Sequence, residues 1–187
     1  MLEKNEQGQF KDMEKLEPKI GAVVVFDGDG VVWKVLSSIL GWFYPEYNRF
    51  CPKPWHVGFI SRWDIQRGWV IAEATGKGVQ ENYLSHYDKN YYKLYDWFGY
   101  SLLRIEIEKF LSWRIGCPYD KLAYGWVTVA CLANKLLGIN IGRWRNDSYM
   151  CWELVEEFVS CMGKPFMKNN RTITIVDIMR SLDAREK

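Results

Sequence analysis

The 187 residues suit a single domain large enough to bury a substantial core. Apolar residues make up 48% and aromatics 16%, which excludes a disordered tail. With 25 basic and 23 acidic side chains the net charge is +2, well short of the concentrated basic face that binding nucleic acid requires.

Residues 1–18 are polar and charged, end at Pro18, and are expected to form an N-terminal polar arm; residues 19–187 are expected to form one domain. The start, Met1 to Gln7, is charged and has no hydrophobic run, so no secretory signal is visible and a cytoplasmic protein is expected. No stretch reaches ~18 uninterrupted apolar residues, so no membrane span is expected.

Ile20 to Phe26 is a β-branched run stopped by Asp27-Gly28-Asp29-Gly30, a buried strand and a tight turn. Val31 to Leu40 has helical spacing, and a loop rich in Pro, Tyr and Asn spans Tyr44 to Pro54. A hairpin follows: His56 to Ser61, a polar turn around Asp64 to Gly68, then Trp69 to Ala74. The turn Thr75-Gly76-Lys77-Gly78 leads to further extended segments through Tyr100 and Ile107. Glu106 to Ile115, Lys121 to Leu137 and Cys151 to Met162 have the pattern of three helices. The tail from Ile173 to Arg180 is expected to be a short strand or turn and then a short helix. Strands gather in the first half and helices in the second, an α+β pattern.

The five cysteines (51, 117, 131, 151, 161) form no CxxC, and only two histidines are present, so no metal site and no cofactor are expected. Cys151 differs from the rest by position. Asn146, Asp147 and Ser148 are candidate N-caps, and Leu154, Val155, Phe158 and Val159 form an apolar stripe. Cys151 therefore falls in the first turn of a buried helix, where free N–H groups and the helix dipole favour a thiolate and can hold an oxyanion. Free cysteine is also among the most buried residue types, so the local sequence leaves Cys151 between core filler and nucleophile.

A nucleophilic cysteine needs a base, and the chain offers His56 and His86. His86 lies in a polar, loop-like segment and is expected at the surface. His56 opens a strand, with Gly58 on the same face leaving room beside the imidazole. A turn centred near Ile65-Gln66 pairs His56 with a residue close to Glu73–Thr75. Glu73 sits among apolar residues, where a carboxylate needs a partner.

The order "HVGFI", "VIAEATGKGV", "GCPYD", "YMCWELV", "ITIVDIMRSL" resembles the circularly permuted papain-like NlpC/P60 amidases of the YaeF/YiiX group, in which the histidine strand precedes the cysteine helix. The resemblance covers roughly Pro18 to Leu182. It implies an antiparallel sheet or barrel from the first half packed on a helical subdomain carrying the cysteine helix. It implies Cys151 as nucleophile, His56 as general base and Glu73 as the residue orienting the imidazole. It implies a substrate cleft lined by Trp55, Tyr119, Tyr149 and Trp152. The chain departs from the family pattern in having Trp152 after the cysteine, Trp55 before the histidine, and Gly21-Ala22 where Gly-Asp is common.

The implied activity is hydrolysis of an amide, in a cell-wall-type peptide or an N-acyl amino acid, through a thioester. Without an export signal, phage lysis or a phage particle is the route by which such an enzyme would reach a cell wall. A thiol acyltransferase acting on lipid acyl groups, and a catalytically silent phage or structural domain, are the competing readings. The partner implied is a small peptide or acyl-amide substrate, with no nucleic acid; the oligomeric state is open.

Overall fold

The β-branched and aromatic runs of the first half form five strands, as their alternation requires. In the computed structural model, the described residues are 17–28, 38, 40–42, 44–50, 54–121, 129, 133, 136–138, 148–166 and 174–185. The strands are β1 (Val23–Asp27), β2 (Pro54–Asp64), β3 (Gly68–Thr75), β4 (Gly78–Tyr83) and β5 (Tyr92–Tyr95). They form one sheet in the order β4-β3-β2-β1-β5, with every neighbouring pair antiparallel. With them stand the helices α1 (Arg104–Leu111), α2 (Cys151–Cys161) and α3 (Ile175–Arg185), and short 3-10 turns at Pro45–Arg49, Leu84–His86 and Lys89–Tyr91. Among the described residues the molecule is α+β.

Strand alternation divides the apolar side chains between the two faces. Val23, Val25, Val57, Phe59, Ala72 and Ala74 join the main core with α2 and α3. Ala22, Val24, Phe26, Ile60, Ile71 and Leu84 form a smaller core on the other face. The stripe expected on α2 faces the sheet: Leu154, Val155, Phe158 and Val159 are all fully buried. Phe158 stacks flat on Phe59 of β2, with centroids 3.8 Å apart and planes at 8°. That contact clamps the cysteine helix to the histidine strand.

Two expectations are corrected. The extended segment does not continue to Ile107: β5 ends at Tyr95, and α1 begins at Arg104 and buries Ile107, Phe110 and Leu111. This i, i+3, i+4 spacing is helical. The tail likewise has no strand among its described residues. Thr174 Oγ1 donates to Asp177 at 2.8 Å, and the Thr174 N–H donates to the same carboxylate at 3.0 Å, so the β-branched Ile175-Val176 opens a helix. A Thr-x-x-Asp cap here outweighs strand propensity.

Residues 38, 40–42, 129, 133 and 136–137 are helical, in line with the helices expected over Val31–Leu40 and Lys121–Leu137; the remainder of both segments, and the arm up to residue 16, lie outside the described residues. No helix among the described residues is long and apolar enough to cross a membrane.

Candidate active site

The β2–β3 hairpin sets the first half of the site. Its turn closes with Asp64 opposite Gly68, and Asp64 Oδ1 accepts the Gln66 and Arg67 N–H groups at 2.9 Å each. Gly68 takes φ +86°, a conformation costly for any other residue. The resulting register places Gly58 opposite Glu73, with a bulge between Ile60 and Arg62. His56, two residues before Gly58, lies diagonal to Glu73 on the same face.

Gly58 lets β2 lie close to the facing stretch of β3. A Cβ at Gly58 would stand 2.8 Å from the Ala72 carbonyl and 3.3 Å from Glu73 Cβ. Both side chains of the pair are buried, His56 at 8% exposure and Glu73 at 0%. His56 Nε2 donates to Glu73 Oε2 at 2.6 Å. The imidazole is also in ring contact with Phe26, at 5.3 Å, and with Trp55, at 5.5 Å.

The other oxygen of Glu73 is matched as well. Oε1 accepts from Asn82 Nδ2 at 2.5 Å and from the Tyr87 hydroxyl at 2.6 Å. These two partners are not evident in the sequence reading. The short turn between β3 and β4, which sets Glu73 opposite Gln80 and so puts Asn82 on the same face, is the signal that could have found Asn82. Tyr87 adjoins His86, whose segment carries no periodicity to reveal it.

Cys151 is the first residue of α2 and is 1% exposed. The N-cap is Met150, not one of the polar residues expected there. Tyr149 is held extended by a parallel bridge to Tyr119, with its N–H on the Pro118 carbonyl at 2.9 Å, so the helix cannot start earlier. Glu153 supplies the cap by reaching back to the Met150 N–H at 3.0 Å. Asn146 and Asp147 lie outside the described residues.

Cys151 at the start of α2 lies near enough to the His56 imidazole to act on its charge. With Nε2 on Glu73, the ring nitrogen left for the sulfur is Nδ1. His56 is the third residue of β2, so its ring stands near the end of the sheet, within reach of the first turn of α2. Burial would push the imidazole pKa down, but hydrogen bonds and negative charge from Cys151 and Glu73 outweigh it and raise the value to about 10. Burial would push the Glu73 carboxyl up, yet the hydrogen bonds and charge of His56, with those of Tyr87 and Asn82, hold it below its usual range. The arrangement is a buried imidazole held by a carboxylate, with Cys151 and the first-turn N–H groups of α2 close by.

The remaining candidates are placed as follows. Trp55 is 42% exposed beside His56. Trp152 is buried in the main core. Tyr119 and Tyr149 are partly buried across their bridge. The Tyr149 phenol is pushed up to about 12 by burial and by its hydrogen bond to Glu157, which also holds Arg114 at 2.7 Å. His86 is exposed and packs edge-on against Tyr83. Of the other cysteines, Cys117 is partly buried and Cys161 exposed, both as free thiols; Cys51 and Cys131 lie outside the described residues. Among the described residues no group of three His, Cys, Asp or Glu side chains is placed to hold a metal ion. No protein-family model matches the chain, and no curated protein sequence matches it.

Proposed function

We propose that the chain is a cysteine-dependent hydrolase on a circularly permuted papain-like NlpC/P60 scaffold, cleaving an amide bond in a cell-wall-type peptide or an N-acyl amino acid. The observation that supports this reading most is the buried His56–Glu73 hydrogen bond at 2.6 Å, with the helix-start Cys151 near enough to act on the same imidazole. Cys151 Sγ attacks the carbonyl carbon, and the developing oxyanion is met by N–H groups of the first turn of α2. His56 gives its proton to the leaving nitrogen as the C–N bond breaks, leaving a thioester on Cys151. Water then attacks the thioester with His56 taking its proton, and the acid departs as the thiol is restored. Glu73 keeps the ring in the orientation that presents Nδ1 to sulfur throughout. Trp55, exposed beside the imidazole, is the aromatic surface against which an acyl or side-chain group would rest.

The test is intact-protein mass spectrometry after mixing with N-acyl amino acid amides and wall-type peptides. An acyl adduct on Cys151 that is lost in Cys151→Ala and fails to form in His56→Ala is the expected result. Acylation from a phospholipid alone would move the assignment to acyl transfer. No adduct from any donor would reject the catalytic reading.

A further inference from the structure

The mechanism above uses one oxygen of Glu73, yet the structure binds both. On Oε1 converge the Asn82 amide from β4 and the Tyr87 hydroxyl from the residue after the 3-10 turn Leu84–His86. The Tyr87 ring is fixed by its own surroundings: its N–H donates to the Leu84 carbonyl at 3.1 Å, and its face packs on Phe26 at 4.6 Å. Phe26 in turn packs on His56. The two donors are thus set by β4 and by a turn outside the hairpin, and both are aimed at a carboxylate with no exposed surface.

We infer that Tyr87 and Asn82 are positioning residues of the Cys151–His56–Glu73 site, which fix the shared proton on His56 by keeping Glu73 ionised. The inference rests on the reading of that series as a working site. A fully buried carboxylate has two ways to avoid an unmatched charge, which are to gather donors or to take up a proton. Three donors make the first route the stable one. With Oε1 stripped of its donors, the proton between Nε2 and Oε2 passes to the carboxylate, and His56 becomes neutral. A neutral imidazole has no proton to give a leaving group. The titratable groups facing Glu73 are His56 from β2 and Tyr87 from the segment after β4, and His56 in turn faces Cys151 from α2. Burial and the neighbouring carboxylate hold the Tyr87 phenol protonated, so it remains a donor across the working range.

The chain has two histidines, which makes the test direct. Imidazole-labelled protein gives two sets of ring signals in NMR, and loss of one set in His86→Gln assigns the other to His56. Titration of the wild-type chain, of Tyr87→Phe and of Asn82→Ala reads the protonation midpoint of His56 without any substrate. The expected result in the wild type is a His56 midpoint far above the ordinary imidazole value of about 6.5. Each variant should lower it by about one unit, a tenfold change in the protonation constant, in keeping with loss of one hydrogen bond to a charged group. Circular dichroism checks that the fold is kept; should Asn82→Ala fail to fold, Tyr87→Phe decides alone, since it removes a single oxygen. An elevated wild-type midpoint left unchanged or raised in folded variants overturns this inference and spares the site. A wild-type His56 that titrates near the ordinary imidazole value of about 6.5 overturns both.

Discussion

A carboxylate without exposed surface persists at Glu73 because each oxygen has a donor, and the imidazole it holds is the group whose ionisation changes most. This gives the protein a stability profile with a worked sign. His56, raised from 6.5 to about 10, adds stability that is complete below about pH 6.5 and fades as pH climbs through 10. Glu73, held below 4.5, adds stability that is present above 4.5 and lost as pH falls through its folded value. The pair therefore stabilises most between about pH 4.5 and 6.5. Thermal melts from pH 5 to 10.5 should show Tm declining on the alkaline side, and His56→Gln should flatten that decline. Glu73→Gln removes the charge but keeps the shape. Its expected effect on turnover is a loss on the order of 10²- to 10⁴-fold with KM little changed, the range for losing the group that orients a catalytic histidine. At this scale the sequence was informative about the dyad: two histidines and one acid amid apolar residues leave few pairings. It said nothing of Tyr87, because a residue after a 3-10 turn has no period to follow.

Between elements, the Phe59–Phe158 stack decides where the cysteine helix lies. Phe158→Ala should cost about 3–5 kcal/mol, as large aromatic truncations in cores do, and Phe59→Ala a similar amount. Because the rings touch, the double variant should lose less than the sum, and a double-mutant cycle in urea would measure the coupling; strict additivity would show that the stack carries no pairwise energy. Gly58→Ala tests a different constraint. Its Cβ would meet the Ala72 carbonyl at 2.8 Å, so β2 and β3 must part locally, at about 1–3 kcal/mol. The chemical signature should be a fall in the His56 titration midpoint, since the same shift draws Glu73 away. Strands and the α2 stripe were legible because alternation and the 3.6 period are written residue by residue. The cap of α2 was not legible: Tyr149 pairs with Tyr119, and that contact overrides three good capping residues upstream. The short helix expected in the tail is present as α3, and the Thr174–Asp177 cap starts it at Ile175, where β-branched propensity had left a strand open.

For the molecule as a whole, α3 closes the main core. Ile175, Val176, Ile178, Met179 and Leu182 are buried along it, and Arg185 donates to the Trp97 carbonyl at 2.6 Å while lying over its ring. Removing residues 175–187 should abolish cooperative unfolding, seen as loss of a thermal transition by circular dichroism, because that apolar face of the sheet would be left open. The α+β class was evident from the division of patterns between the two halves. How the far element meets the hairpin was not, because contacts between distant residues leave no periodic trace. One such contact has a consequence in time. The hairpin carrying His56 is local and can zip early, whereas the Cys151 partnership must wait until a long intervening chain has been folded back. A ribosome making this chain releases His56 well before Cys151, so the two can meet only once the chain through α2 has been made. On the proposed function, a Cys151 that depends on His56 would stay quiet in every form in which β2 and α2 have not yet met.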